Sequence, residues 1–356
     1  MAYKRLYPRE HTGLCTSHSE KRRLIRAQEM VEFIEIGTPG ENNGLRELDL
    51  QALYNHLFPN PDERVPWAKI EHEIAIHSAI DGPRLALLGY RWRLHALAAV
   101  KDDRIVGFSF FKSIQMDSAN YAIALMYTGA ADHAYSKKEY GIDKSFRGLG
   151  LASTFAVLAH AIALEDAEKD GCITVAGMIS DAEMIGQGKT LEEIRFTRTR
   201  LDIHAKNGKL PLMLEVDGKW LSPVVQPALR SDSNPLIMHM LLKPLSFRVD
   251  ASSGIGELGL EMASKMVHAY IAMFESDGYP AETLALPKLE MLRRVGTARR
   301  AVLMQPSAVP DIVRLAENDP ILKAQIERDY GDPVAHEERI AKALGGDGSV
   351  CLSPLP

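Results

Sequence analysis

The segment Arg147-Gly148-Leu149-Gly150-Leu151-Ala152 holds the residue types and spacing best suited to chemistry in this chain. Small residues at 148, 150 and 152 let the backbone curl closely around a ligand, because glycine reaches left-handed conformations at little cost. An extended pattern precedes the segment and a helical one follows it. The first N–H groups of a helix lack intrahelical partners and carry partial positive charge, so they face whatever the loop encloses. The chemistry of such a loop is the holding of an anion, a phosphate above all.

Two other glycine segments compete for that role. Gly254-Ile255-Gly256-Glu257-Leu258-Gly259 matches G-x-G-x-x-G literally. A dinucleotide-binding fingerprint also needs a buried strand before it and a parallel strand after its helix. Here the lead-in Ser246–Asp250 is short and polar, and residues 278–283 read as a turn, so the segment is expected to be a hinge. Gly186-Gln187-Gly188-Lys189-Thr190 resembles the end of a P-loop. The first glycine position of that motif holds Glu183, whose carboxylate repels phosphate. A polar turn with Thr190 capping the next helix is the expectation there.

The elements around these segments follow from periodicity. Residues 29–36 alternate apolar and charged side chains as a strand does. Residues 45–57 and 66–80 read as helices separated by Pro59 and Pro61. Residues 94–101 and 104–115 form a hairpin about Asp102-Asp103, and 121–129 make a further strand. Residues 153–169 are an amphipathic helix with Phe155, Leu158, Ala159 and Ile162 on one face and Glu165, Glu168 and Lys169 towards water. Residues 172–179 form a buried strand, Thr190 to Asn207 a helix, and 210–216 and 235–243 the last strands. Between 253 and 345 the pattern is mostly helical, broken by Pro280, Pro287, Pro306 and Pro310. There Met262, Met266, Ala269 and Met273 recur at helical spacing and are expected to pack in a core.

A chain of 356 residues implies one large or two modest domains. With 46% hydrophobic and 25% charged residues the composition is that of a soluble globular protein, and no apolar run reaches membrane-spanning length. The net charge of −5 offers no general attraction for nucleic acid. Cys15, Cys172 and Cys351 are far apart and odd in number, which argues against a disulfide framework and fits a reducing, cytoplasmic compartment. No C-x-x-C or His/Cys cluster suggests a metal site. Residues 1–28 lack the apolar core of a signal peptide and carry Lys4, Arg5, Arg9, Lys21, Arg22, Arg23 and Arg26; they are expected to be a loose basic arm. Residues 346–356 are expected to be a flexible tail.

In its strand–loop–helix setting, Arg147–Ala152 resembles the acyl-CoA pyrophosphate loop of the GNAT superfamily of N-acetyltransferases, with the pattern Arg/Gln-x-x-Gly-x-Gly/Ala. The approach Tyr140–Gly148 is similar to the family's strand end, with Lys144 in place of a frequent proline. The hairpin containing Val106-Gly107 resembles its second and third strands, and the helix closing Arg200–Gly208 its penultimate helix. The resemblance implies an α/β (α+β) fold: a mixed, mostly antiparallel sheet flanked by helices over residues 29–245, with a helical C-terminal extension over 253–345. Two positions depart from the family. Thr197 stands where it often has Asn, and His204 where it often has Tyr.

The same resemblance implies acetyl-CoA as co-substrate, held by Ile142 and by Arg147, Gly148, Leu149, Gly150, Leu151, Ala152 and Ser153. It implies direct attack of an amine on the thioester. A base must take a proton from the amine, a backbone N–H must steady the oxyanion, and an acid must help the thiolate leave. His204 is the candidate acid; near its ordinary pKa it is roughly one-quarter charged at neutral pH, and even neutral imidazole donates one N–H. Glu139 is the candidate base, with Asp132, His133 and Glu183 as rivals. Arg195, Arg198 and Arg200, with Glu192 and Glu193 beside them, are expected to be a solvated face. The partner is an amine acceptor, small molecule or peptide, with no nucleic acid or membrane. The alternative is a catalytically inactive acyl-CoA-binding regulatory module.

Overall fold

In the computed structural model, which describes residues 3–37, 47–59, 65–78, 91–130, 149–228, 234–277, 279 and 281–344, the basic start of the chain is folded. Tyr3–Leu6 is strand β1, Pro8–Leu14 a kinked 3-10 segment, and His18–Met30 helix α1. Ser17 caps α1 by accepting the Glu20 N–H at 3.1 Å. The Glu20 carboxylate in turn accepts the Thr16 N–H at 2.6 Å and its hydroxyl at 2.9 Å. Leu24 and Ala27 turn inward and are fully buried, while Lys21, Arg22 and Arg26 face solvent. The loose arm expected from charge is thus corrected: a capped helix with a narrow apolar stripe outweighs the surrounding charges.

The chain divides into two compact units, residues 1–178 with 275–277, and residues 179–274 with 278–356.

In the first unit β2 (Glu32–Ile36), β3 (Trp92–Lys101), β4 (Arg104–Gln115) and β5 (Asn120–Ala130) extend β1 into an antiparallel sheet in chain order. Asp102 and Asp103 close the β3–β4 hairpin with positive φ of 50° and 59°, the twist that a tight two-residue turn requires. Helices α2 (Glu47–Leu57) and α3 (Trp67–Ser78) separate β2 from β3. Helix α4 (Leu151–Lys169) follows β5 and leads to β6 (Thr174–Ala182), which takes its place beside β5. The Ile173 and Thr174 N–H groups both donate to the Ala119 carbonyl, so β5 and β6 start side by side and run the same way. The sheet is therefore mixed but mostly antiparallel.

Aromatic rings fill this unit. Tyr54 sits within 5.2–5.9 Å of the rings of Phe58, Trp67, Phe108, Phe110 and Tyr127, and Phe33 meets Phe155 of α4 edge-on at 5.6 Å. Lys112, fully buried on β4, is neutralised where it stands. Its Nζ lies 3.3 Å from Glu73, 2.7 Å from the Ser276 hydroxyl, against Asp277, and 4.5 Å above the Trp92 ring. That cluster makes residues 275–277 part of the first unit.

In the second unit β7 (Leu210–Val216) and β8 (Lys219–Leu221) form a hairpin about Asp217-Gly218, and β9 (Val224–Gln226) pairs with β10 (Leu236–Pro244). Strands β11 (Ile255–Leu258) and β12 (Arg300–Met304) complete the antiparallel order β10-β7-β12-β11. The helices are α5 (Leu191–Lys206), α6 (Leu260–Ser276), α7 (Ala281–Thr297), α8 (Ile312–Ala316), α9 (Pro320–Tyr330) and α10 (Pro333–Leu344). The mostly helical pattern expected over 253–345 is seen, with β11 and β12 set into it, whose four and five residues are too short to show a strand period in sequence. Pro287 lies inside α7 and is buried there, rather than ending the helix. Met266, Ala269 and Met273 are buried on α6 as their spacing predicts, while Met262 is half-buried.

Candidate functional site

Of the expected anion loop, Leu149 to Ser153 are described; Glu139, Ile142, Arg147 and Gly148, with Asp132 and His133, lie outside the described residues. Gly150 is the N-cap of α4 and holds φ 82° and ψ 17°, a left-handed conformation that favours glycine. No side chain caps the helix and no acidic residue stands in its first turn. The Gly150 carbonyl accepts the Thr154 N–H at 2.9 Å and its hydroxyl at 3.1 Å. Leu151 and Ser153 are buried and Ala152 is exposed. The helix begins abruptly, as a phosphate-facing helix does.

Two features of this end fit a phosphate-bearing group. A Cβ on Gly150 would lie 2.9 Å from Cβ of Arg23 and 3.4 Å from its Cγ and Cδ, so only glycine fits against α1. The Nε of Arg23 is itself buried with no hydrogen-bond partner among the described residues, and a buried donor without an acceptor is costly. Pattern reasoning overlooked Arg23; the signal within the sequence was Ser17-x-x-Glu20 opening a helix.

The other end of α4 is pinned by buried charge. Asp166 accepts from His95 Nε2 at 2.8 Å and from the Ser113 hydroxyl at 2.5 Å, while His95 Nδ1 meets Glu35 at 2.6 Å. Asp170 takes Arg91 at 2.9 Å, Arg93 at 3.0 Å and the Tyr121 hydroxyl. Burial alone would lower the His95 pKa, but Asp166 and Glu35 outweigh it and raise it to about 9. Burial likewise opposes ionisation of Asp166, yet His95, Arg93 and Ser113 hold its carboxyl well below the usual range. Thus α4 buries residues on more than one side, Asp166 among them, where its sequence suggested one apolar face with Glu165, Glu168 and Lys169 towards water.

A bulge interrupts the β4–β5 ladder. Phe110 opposes Tyr127 and Phe111 opposes Leu125, so Met126 faces no residue of β4. Bulges leave backbone groups unpaired and recur next to active sites. Nothing in the alternation of 121–129 announces it.

His204 lies in the second unit, near the end of α5, and is half-buried. Burial, then the charges of Lys209 and Arg200, lower its pKa to about 4. At neutral pH the ring is therefore neutral, which corrects the one-quarter charge expected from its ordinary value. Thr197 is buried and committed: its hydroxyl accepts the Gly186 N–H at 3.2 Å and donates to the Ile194 carbonyl at 2.8 Å. Glu183 is paired with Arg200, Arg198 lies 3.7 Å from Asp202, and Arg195 donates to the Ala343 carbonyl at 2.8 Å. The helix face is therefore laced by ion pairs and hydrogen bonds. Burial and the neighbouring Lys243 lower the Lys209 amine to about 7, and burial raises Asp181, which accepts the Tyr270 hydroxyl at 2.6 Å.

The rival glycine segments are occupied otherwise. Thr190 and Glu193 form a capping box at the start of α5. The Gly186 carbonyl faces His336 Nε2 at 2.9 Å, and a Cβ there would meet Ile340 at 2.5 Å. Residues 255–258 are strand, and a Cβ on Gly256 would meet Val249 and the Asp250 carbonyl. Among the described residues no group of three or more His, Cys, Asp or Glu could hold a metal ion. No helix among them is long and apolar enough to cross a membrane.

No protein-family model matches the chain, and no curated protein matches its sequence. Solved structures do resemble it. The aminoglycoside 6'-N-acetyltransferase from Enterococcus faecium is 13% identical, over 59% of this chain and 96% of its own, with a TM-score of 0.28. An acetyltransferase from Streptococcus agalactiae is 11% identical, over 60% and 98%, with a TM-score of 0.29. An aminoglycoside 6'-N-acetyltransferase complexed with coenzyme A is 15% identical, over 59% and 96%, with a TM-score of 0.26. At these identities and scores they are structural likenesses and no more.

Proposed function

We propose that the chain is an acetyl-CoA-dependent N-acetyltransferase in which an acceptor amine attacks the thioester directly. The observation that carries this reading is the uncapped start of α4 at Gly150, with Arg23 against it. The co-substrate supplies a thioester-activated acetyl group. Leu149–Ser153 bind its phosphates through backbone N–H groups, together with Arg147, Gly148 and Ile142. Each hydrogen bond to a charged group contributes about 1.5–3 kcal/mol, and micromolar affinity requires about 8 kcal/mol after association costs, so the loop supplies a large share. Asp166 and Asp170 hold α4 in place. The backbone at the Met126 bulge steadies the oxyanion. Glu139 takes the amine proton, and neutral His204 donates an N–H towards the departing sulfur.

The experiment is incubation with acetyl-CoA and a panel of small and peptide amines, with free thiol as the readout. Thiol release that depends on the amine supports transfer. A second reading, an acyl-CoA-binding module without turnover, is favoured by the commitment of the Thr197 hydroxyl inside the fold and by the low pKa of His204. It predicts binding without thiol release on every amine.

A further inference from the structure

We infer that Lys209 and Lys243 of the second unit, with His204 beside them, bind a carboxylate, so that one of the two substrates is acidic. The anion site stands on the second unit alone; only the statement that its ligand is a substrate rests on the N-acetyltransfer reading.

The fold brings the two lysines together. Leu210 of β7 opposes Leu242 of β10, so Lys209 and Lys243 oppose each other one step further along the same ladder. Opposed residues of an antiparallel pair share one face of the sheet. Lys209 is 9% exposed and Lys243 6%. A closed turn ties the pair to the end of α5. Gly208 holds φ 79°, its N–H donates to the Ala205 carbonyl at 2.9 Å, and the Lys209 N–H donates to the His204 carbonyl at 3.0 Å, the pattern of a glycine-closed helix end. The Lys243 stem runs along this turn: a Cβ on Gly208 would lie 3.7–3.9 Å from its Cε, Cγ and Cδ.

Like charges opposed across a ladder repel, and a buried ammonium without an anion is costly. Among the described residues the Lys209 amine makes no hydrogen bond or ion pair, and Asp181 is the one carboxyl whose charge acts on it. Asp181 is engaged elsewhere, accepting the Tyr270 hydroxyl at 2.6 Å. Arg200 is spent on Glu183, and the neutral His204 ring offers an N–H without a charge. An added anion therefore meets an unpaired ammonium and a neutral donor held in fixed relation by the turn. The Asp181 carboxyl beside the pair disfavours a doubly charged phosphate more than a singly charged carboxylate.

The test is NMR titration of the full chain at neutral pH, followed at the amide signals of Lys209 and Lys243. The probes are succinate, the uncharged succinamide and inorganic phosphate. Succinate should saturate with a Kd on the order of 1 mM, phosphate should bind more weakly, and succinamide should shift nothing. Lys209→Met keeps the apolar stem and should weaken succinate by about 10-fold or more, while the exposed control Lys206→Ala should stay within about twofold. No saturable shift with succinate, tighter binding of phosphate, or equal succinate affinity in Lys209→Met would overturn the site. Should Lys209→Met fail to fold, Lys209→Gln decides. Thiol release then names the source of the carboxylate. A preference of about 10-fold for succinyl-CoA over acetyl-CoA, lost in Lys209→Met, assigns it to the acyl group. The same preference for amino acids over their carboxamides assigns it to the acceptor. Turnover with neither preference would overturn the substrate assignment. No thiol release with any pair would remove the transfer reading, and saturable succinate binding would still support the site.

Discussion

His95 Nε2 lies 2.8 Å from Asp166 Oδ2, so a buried ion pair joins β3 to the helix that begins at Gly150. Glu35 holds the opposite ring nitrogen at 2.6 Å, which fixes the imidazolium between β2 and α4. The folded protein keeps this proton up to about pH 9, whereas an unfolded histidine releases it near about 6.5. The stabilisation is therefore complete below about 6.5 and is lost as pH rises through about 9. Urea midpoints between pH 6 and 10 should fall for the unmodified chain relative to His95→Gln. The variant should be less stable by about 3–5 kcal/mol at neutral pH, since it strands two buried carboxylates. Parallel pH curves for the two proteins would contradict this.

His239 behaves in the opposite sense. It is fully buried on β10, both ring nitrogens are without partners among the described residues, and burial lowers its pKa to about 4. The unfolded state binds the proton first, so stability is intact above about 6.5 and declines as pH falls towards 4. His239→Leu removes both unsatisfied nitrogens and should flatten the acid limb while leaving neutral-pH stability unchanged or raised. Acid unfolding at the same pH in both proteins would show that His239 does not govern it.

His204→Phe tests the proposed donor. It removes the N–H and keeps an aromatic ring at a half-buried position. Turnover should fall about 100- to 10,000-fold, the range of one general acid–base contribution, while CoA affinity stays within about twofold. Unchanged turnover would remove His204 from the mechanism.

The hairpin at Asp102-Asp103, strands β2 to β7 and β10, and the cap at Thr190 were legible because local rules decide them: alternation, turn residues and capping side chains; the three-residue strands β8 and β9 were not. Asp166 was not. On a helical wheel it falls on the apolar face of Phe155, Ala159 and Ile162, and only the tertiary partners His95, Ser113 and Arg93 explain a buried carboxylate there. Arg23 was lost in a run of basic residues that charge counting treats alike; its neighbour Gly150 is 127 residues away in sequence. β12 is five residues long and takes its identity from pairing with β7. What the sequence could not reveal was the long-range partner of a side chain, and that is where the candidate site departs from its expected residues.

The most direct test of the account is titration of acetyl-CoA into the unmodified chain and into Gly150→Val, with thermal unfolding of each recorded beside it. The unmodified chain should bind with a Kd of about 1–100 μM and unfold at a higher temperature when saturated. Gly150→Val places a branched side chain at φ 82° against Arg23. It should lose binding altogether, with no thermal shift. No heat and no shift from acetyl-CoA on the unmodified chain, or equal affinity in the variant, would contradict the assignment of this loop.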